Sequence, residues 1–134
     1  MSDQANLAIM KEAYAAFGRG EIDAVLRVHD PNTELEIAGP TDIPWAGHFR
    51  GHDGVRKYFA AIEAEAEIDA FEPHAFLAEG DNVVVLGFEK LRAKRTGRSY
   101  ETHWVHAFIL ANGKIVKFRE YCDTATVAAA FRNR

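Results

Sequence analysis

The chain has 134 residues, 48% of them hydrophobic and 27% charged, with a formal net charge of −4. That length and composition suit one globular domain over residues 1–134 and exclude a disordered chain. Without a basic stripe to neutralise phosphates, a nucleic-acid partner is not expected. Cys122 is the single cysteine, so a disulfide framework and a cysteine-based zinc site are both excluded. The apolar run Val83–Gly87 is far short of the roughly 20 residues of a membrane helix. The first residues, MSDQANLAIMKEAY, show no basic region followed by an apolar run. The expectation is a cytoplasmic protein with no membrane contact.

The chain opens as a helix. Ser2 or Asp3 can cap it, Leu7, Met10, Tyr14 and Phe17 recur at helical spacing, and Gly18 and Gly20 stop it. A short second helix is predicted over Glu21–His29, with Ile22, Val25, Leu26 and His29 on one side. Asp30-Pro31-Asn32 is turn chemistry. Thr33–Ala38 alternates, Leu35 and Ile37 against Glu34 and Glu36, which predicts a strand whose glutamate side faces solvent. Gly39–Gly51 has no period and reads as a loop. A third helix is predicted over Asp53–Glu67, with Val55, Phe59 and Ile62 as its stripe.

The second half reads as strands: Phe71–Glu79, Asn82–Ala93, Ser99–Ala111 and Lys114–Asp123. Gly80-Asp81, Thr96-Gly97 and Asn112-Gly113 separate them, and Asn-Gly between alternating runs is a strong hairpin signal. Thr124–Arg132 closes the chain as a short helix or tail, with Asp123 as its N-cap. Helices segregated from an antiparallel meander mean an α+β fold. A long twisted sheet curls, and helices on its concave side leave a pocket.

Register decides what lines that pocket. A three-residue Ala111-Asn112-Gly113 loop puts Trp104, His106, Phe108, Val116, Phe118, Glu120 and Cys122 on one face, with Val105, Ala107, Ile109, Ile115, Lys117, Arg119 and Tyr121 on the other. A two-residue Asn-Gly loop would instead pair His106 with Arg119. The first register is preferred because it gathers the large apolar side chains. His106 and Glu120 are then an imidazole and a carboxylate on an aromatic wall, the residue types that move protons. The alternative is a structural pair, with His106 bonded to a backbone carbonyl and Glu120 to an arginine or lysine.

Several pieces in order resemble one family: Tyr14–Phe17 with Gly20-Glu21-Ile22-Asp23, Gly39-Pro40, Pro44-Trp45-Ala46-Gly47, Arg50-Gly51, Gly54-Val55, Trp104-Val105-His106, Gly113-Lys114-Ile115 and Arg119-Glu120-Tyr121 with Asp123. Over nearly the whole chain this resembles the nuclear-transport-factor-2-like (NTF2-like) superfamily, in its SnoaL-like branch of polyketide cyclases and ketosteroid-isomerase-related proteins. The resemblance implies a cone, a strongly curved antiparallel sheet wrapped around three helices with one deep pocket. It also implies a homodimer through the sheet. Glu120 and His106 look like the cyclases' general acid/base and its neighbouring histidine, with Glu in place of Asp. The ketosteroid isomerases match less well. Their tyrosine aligns to Ala13, one before Tyr14, their base falls near Glu36, and their oxyanion-hole acid falls at His106. The epoxide hydrolases' arginine and aspartates are not matched, since Trp104 and His106 stand in part of that set.

The resemblance therefore implies acid–base proton transfer on an apolar carbonyl compound, with no cofactor. Glu120 would move a proton next to the carbonyl, while His106 with Tyr14 stabilises the enolate oxygen. Trp45, Tyr14, Phe17, Trp104, Phe108, Phe118 and Glu36 are the candidate substrate contacts. The alternatives are a non-catalytic binding protein for a small apolar ligand and a dimeric interaction module. No metal is expected, because His103 and His106 project from opposite strand faces and His48 with His52 lacks a third ligand.

Overall fold

In the computed structural model residues 2–132 are described. Ser2 caps helix α1 (Asp3–Gly18), its side chain accepting from the Ala5 N–H. Helix α2 (Ile22–Arg27) follows, then strands β1 (His29–Ile37) and β2 (Gly47–Arg50), helix α3 (Gly51–Glu65), strands β3 (Ala66–Glu79), β4 (Asn82–Ala93), β5 (Ser99–Ala111) and β6 (Lys114–Cys122), and helix α4 (Thr124–Phe131). The six strands form one sheet in the order β2-β1-β6-β5-β4-β3. Strands β3 to β6 are the expected antiparallel meander. The sheet is mixed, though, because β1 joins β6 in parallel. Four register shifts, in the β1–β6, β3–β4 and β5–β6 ladders, bend the sheet into an open, curved wall. Among the described residues no helix is long and apolar enough to cross a membrane.

Four expectations are corrected. His29 ends no helix; it starts β1. The Asp30–Asn32 turn chemistry survives inside that strand as an irregularity, with Asp30 Oδ1 accepting from the Asn32 N–H at 2.8 Å and the β1–β6 register shifting between His29 and Glu34. Residues 47–50, read as loop, are the edge strand β2. Four residues are too few to show a period, but Arg50 and His48 stand against Glu34 and Glu36 in register, a charge alternation the sequence does carry. Strand β3 begins at Ala66, five residues before the expected start, because it follows the full length of β4.

The last correction is the hairpin register. Asn112 and Gly113 both have positive φ, so the turn is the two-residue type, with Ala111 opposite Lys114. A bulge at Val116 then adds one residue to β6. Beyond it Trp104 faces Cys122, His106 faces Glu120 and Phe108 faces Phe118. The bulge restores the inner face that the three-residue loop was invoked to give, but Ile115 lies inside and is fully buried rather than on the outer face.

Candidate functional site

The concave face of the sheet and the inner sides of α1 and α3 line a cavity of about 100 Å³ that opens to solvent. Met10, Tyr14 and Phe17 of α1 and Tyr58, Phe59 and Ile62 of α3 form its helical side; Phe108 and Phe118 are part of its sheet side. Trp45, in the loop before β2, also lines it and is buried edge-on against Phe131 of α4 at 5.2 Å. Asp123 caps α4, accepting from the Thr126 N–H. That holds Phe131 where it meets Trp45.

His106 and Glu120 lie inside this cavity, 6% and 8% exposed, with neither an arginine nor a lysine beside them among the described residues. His106 Nε2 is 3.0 Å from Glu120 Oε2, and Nδ1 is 2.6 Å from the Tyr14 hydroxyl. A carboxylate only accepts, so Nε2 carries the imidazole hydrogen. In that tautomer the Nδ1 lone pair accepts from the Tyr14 hydroxyl. Burial, and after it the charge of Glu120, pushes the Tyr14 hydroxyl well above its ordinary range, which keeps that donor protonated. The resulting chain is Tyr14 to His106 to Glu120, joining the first helix to the last strand.

Aromatic packing fixes the imidazole. It stacks on Trp104 with centroids 4.0 Å apart and meets the Phe118 edge at 5.0 Å. Trp104 is 1% exposed and lies behind His106, outside the cavity lining, so it supports the histidine rather than contacting a ligand directly. Its indole covers Gly87 of β4. A Cβ there would come within 2.2 Å of the ring, so glycine is what lets the two strands and the indole approach.

Glu36 is not in the cavity. It lies on the convex face, accepting from Arg119 Nε at 2.8 Å and pairing with Lys117 at 3.2 Å. Strand alternation sends Glu36 outward while Leu35 and Ile37 point in, and hydrogen bonds from Arg119 and then Lys117 hold its carboxyl below the usual range. His48 also pairs with Glu36, whereas His52 Nε2 donates to the His29 carbonyl, so the two histidines do not converge. Among the described residues no cluster of three metal-ligating side chains occurs. Cys122 faces inward but lies outside the lining, and burial lifts its thiol to about 12.

Three polar cavity residues were missed by the sequence reading. Glu89 of β4 stands on the concave face with Val83, Val85, Gly87 and Leu91; one acid in that apolar alternation is the signal that could have found it. Burial, and then the charge of Glu120, pushes its carboxyl up to about 8. His29, which bonds Thr33 Oγ1 at 3.1 Å, is lowered to about 4 by burial and then by His52. Tyr58 of α3 is the third, its hydroxyl raised by burial first.

The comparisons with known proteins agree with this architecture. The family model described as SnoaL-like domain matches residues 10–118. An NTF2-like protein from Burkholderia xenovorans is 37% identical, with 98% of this chain and 99% of that one covered and a TM-score of 0.89. A candidate SnoaL-like polyketide cyclase from Mesorhizobium loti, 18% identical over 85% of this chain and 96% of its own, has a TM-score of 0.72, which is a likeness of fold. An uncharacterized protein of Mycobacterium tuberculosis is 27% identical over 126 residues, 93% of this chain and 95% of that one. The chain belongs to the SnoaL-like domain family and has the NTF2-like fold.

Proposed function

We propose that this protein transfers protons on a small apolar carbonyl compound, with Glu120 as the base. The observation that carries the reading is the unbroken chain from Tyr14 through His106 to Glu120 on the wall of an aromatic cavity. A carboxylate shielded from water, with no cation to neutralise it, is available to take a proton from carbon. His106 and Tyr14 orient it. Their hydrogens are spent within the chain, so neither is the enolate donor that the family resemblance implies. Glu120 accepts the proton from the carbon next to the carbonyl, and returning it to the same or another carbon gives exchange, isomerisation or ring closure. The step as written needs no cofactor.

Proton exchange tests it. In D2O the wild type should accelerate deuterium uptake next to the carbonyl in a panel of small aryl and cyclic ketones, followed by proton NMR. Glu120→Gln should lose about 10²-fold or more. Wild-type rates in that variant would remove Glu120 from the role. Binding of the ketones without any exchange would leave a non-catalytic binding protein instead. The reading also includes a second copy of the chain on the convex sheet face, supported by the exposed Leu86, Ile109 and Tyr121. A monomeric mass in sedimentation equilibrium would remove that part.

A further inference from the structure

A base that removes a proton from carbon needs a partner for the oxygen that becomes negative. The Tyr14–His106–Glu120 chain does not supply one, because the Tyr14 hydrogen goes to Nδ1 and the Nε2 hydrogen goes to Glu120. Among the described residues lining the cavity there is no lysine or arginine, and one further carboxyl remains, that of Glu89. Strand pairing sets Glu89 between Phe71 of β3 and Thr102 of β5, on the same concave wall as Glu120. Neither an ion pair nor a hydrogen bond engages its carboxyl among the described residues.

We propose that Glu89 is the oxygen partner: a neutral carboxylic acid that donates to the carbonyl oxygen of an uncharged substrate while Glu120 works at the neighbouring carbon. This inference rests on the proposed proton transfer and names its substrate class. The titratable groups electrostatically linked to Glu89 are Tyr58 of α3, Tyr100 of β5, and Glu120 and Cys122 of β6, with no base among them. Burial and the charge of Glu120 disfavour a second negative charge there, while the two tyrosines and the thiol stay neutral. Two carboxyls in one cavity thus divide the work, Glu120 at the carbon and Glu89 as the protonated donor at the oxygen. The protons balance. Carbon gives its proton to Glu120, the oxygen takes a hydrogen bond or the proton of Glu89, and ketonisation returns both. A cavity with two acids and no cation also rejects carboxylates and phosphates, so the substrate is neutral.

The test uses acetophenone carrying carbon-13 at the carbonyl, with benzoate as the anionic counterpart. At pH 7 the wild type should bind acetophenone and move its carbonyl resonance downfield, the signature of a donated hydrogen bond. Glu89→Leu should abolish that displacement and weaken binding about tenfold. Glu89→Gln, whose amide still donates, should keep part of the displacement, and it is the variant to read if the leucine form does not fold. Benzoate should bind at least tenfold more weakly than acetophenone. In the wild type, the carboxyl carbon resonance absent from Glu89→Gln should titrate near 8.

A displacement that persists undiminished in both variants, no saturable acetophenone binding, tighter benzoate binding, or titration below about 5 would each overturn the proposal. The two readings fail separately. Exchange at wild-type rate in Glu120→Gln, with the resonance displacement still dependent on Glu89, removes the base and leaves the oxygen partner. Lost exchange with a displacement independent of Glu89 does the reverse.

Discussion

The two faces of the sheet treat the same side chain in opposite ways. Glu36 and Glu120 lie one register step apart, since Glu36 is level with Arg119 and Ile37 with Glu120 across the β1–β6 ladder. On the convex face Glu36 meets Arg119, Lys117 and His48 in solvent. On the concave face Glu120 meets one imidazole, behind which stands Trp104. Outside, cations and water fix the carboxylate in its charged form and leave it nothing to do. Inside, Glu120 is 8% exposed and no lysine or arginine lies beside it among the described residues, the setting on which the proposed proton transfer rests. The pattern teaches that the face a strand residue occupies, rather than its type, sets its chemistry here.

The strongest way to break that contrast is to empty the support behind His106. Trp104→Ala should cost about 3–5 kcal/mol in urea unfolding, because it leaves a large void against Phe71 and the imidazole. A loss under about 1 kcal/mol would show that the inner face is not held by this stack.

The next prediction separates the two buried titrating groups by pH. His29 has a folded value of about 4 against 6.5 in the unfolded chain. Between those values unfolding takes up a proton, so its contribution is intact above pH 6.5 and is lost as pH falls toward 4. Glu89 acts in the opposite sense. The folded chain keeps its proton between about 4.5 and 8 while the unfolded chain has released it, so stability from this group falls as pH rises through that window. Melting temperatures should therefore show Glu89→Gln gaining on the wild type from pH 5 to pH 8, and His29→Gln flattening the loss between pH 6.5 and 4. Parallel curves for variant and wild type would place either group in ordinary solvent. The smallest effect belongs outside: Glu36→Gln should leave ketone exchange and melting temperature unchanged. A change in exchange would tie the convex network to the cavity.

Much of this was legible in residue order. The apolar strand runs and the Asn-Gly turn specified β4, β5 and β6, because strand patterning and positive-φ turn residues are local properties. The side membership of Trp104, His106, Phe108, Phe118 and Glu120 followed from the same alternation. The bulge at Val116 did not, since nothing local distinguishes it from a longer loop. Strand β2 escaped because its pairing partner, β1, supplies what four residues cannot.

By itself, then, the sequence determined an α+β chain with a long meander, an apolar inner wall and two ionisable groups upon it. Tertiary structure alone decided that Tyr14 reaches His106 across 92 positions and that Glu89 shares the cavity. Those outcomes depend on how far the sheet curls and where the helices settle on it. Distances between residues remote in the chain are set by packing, which no local pattern records.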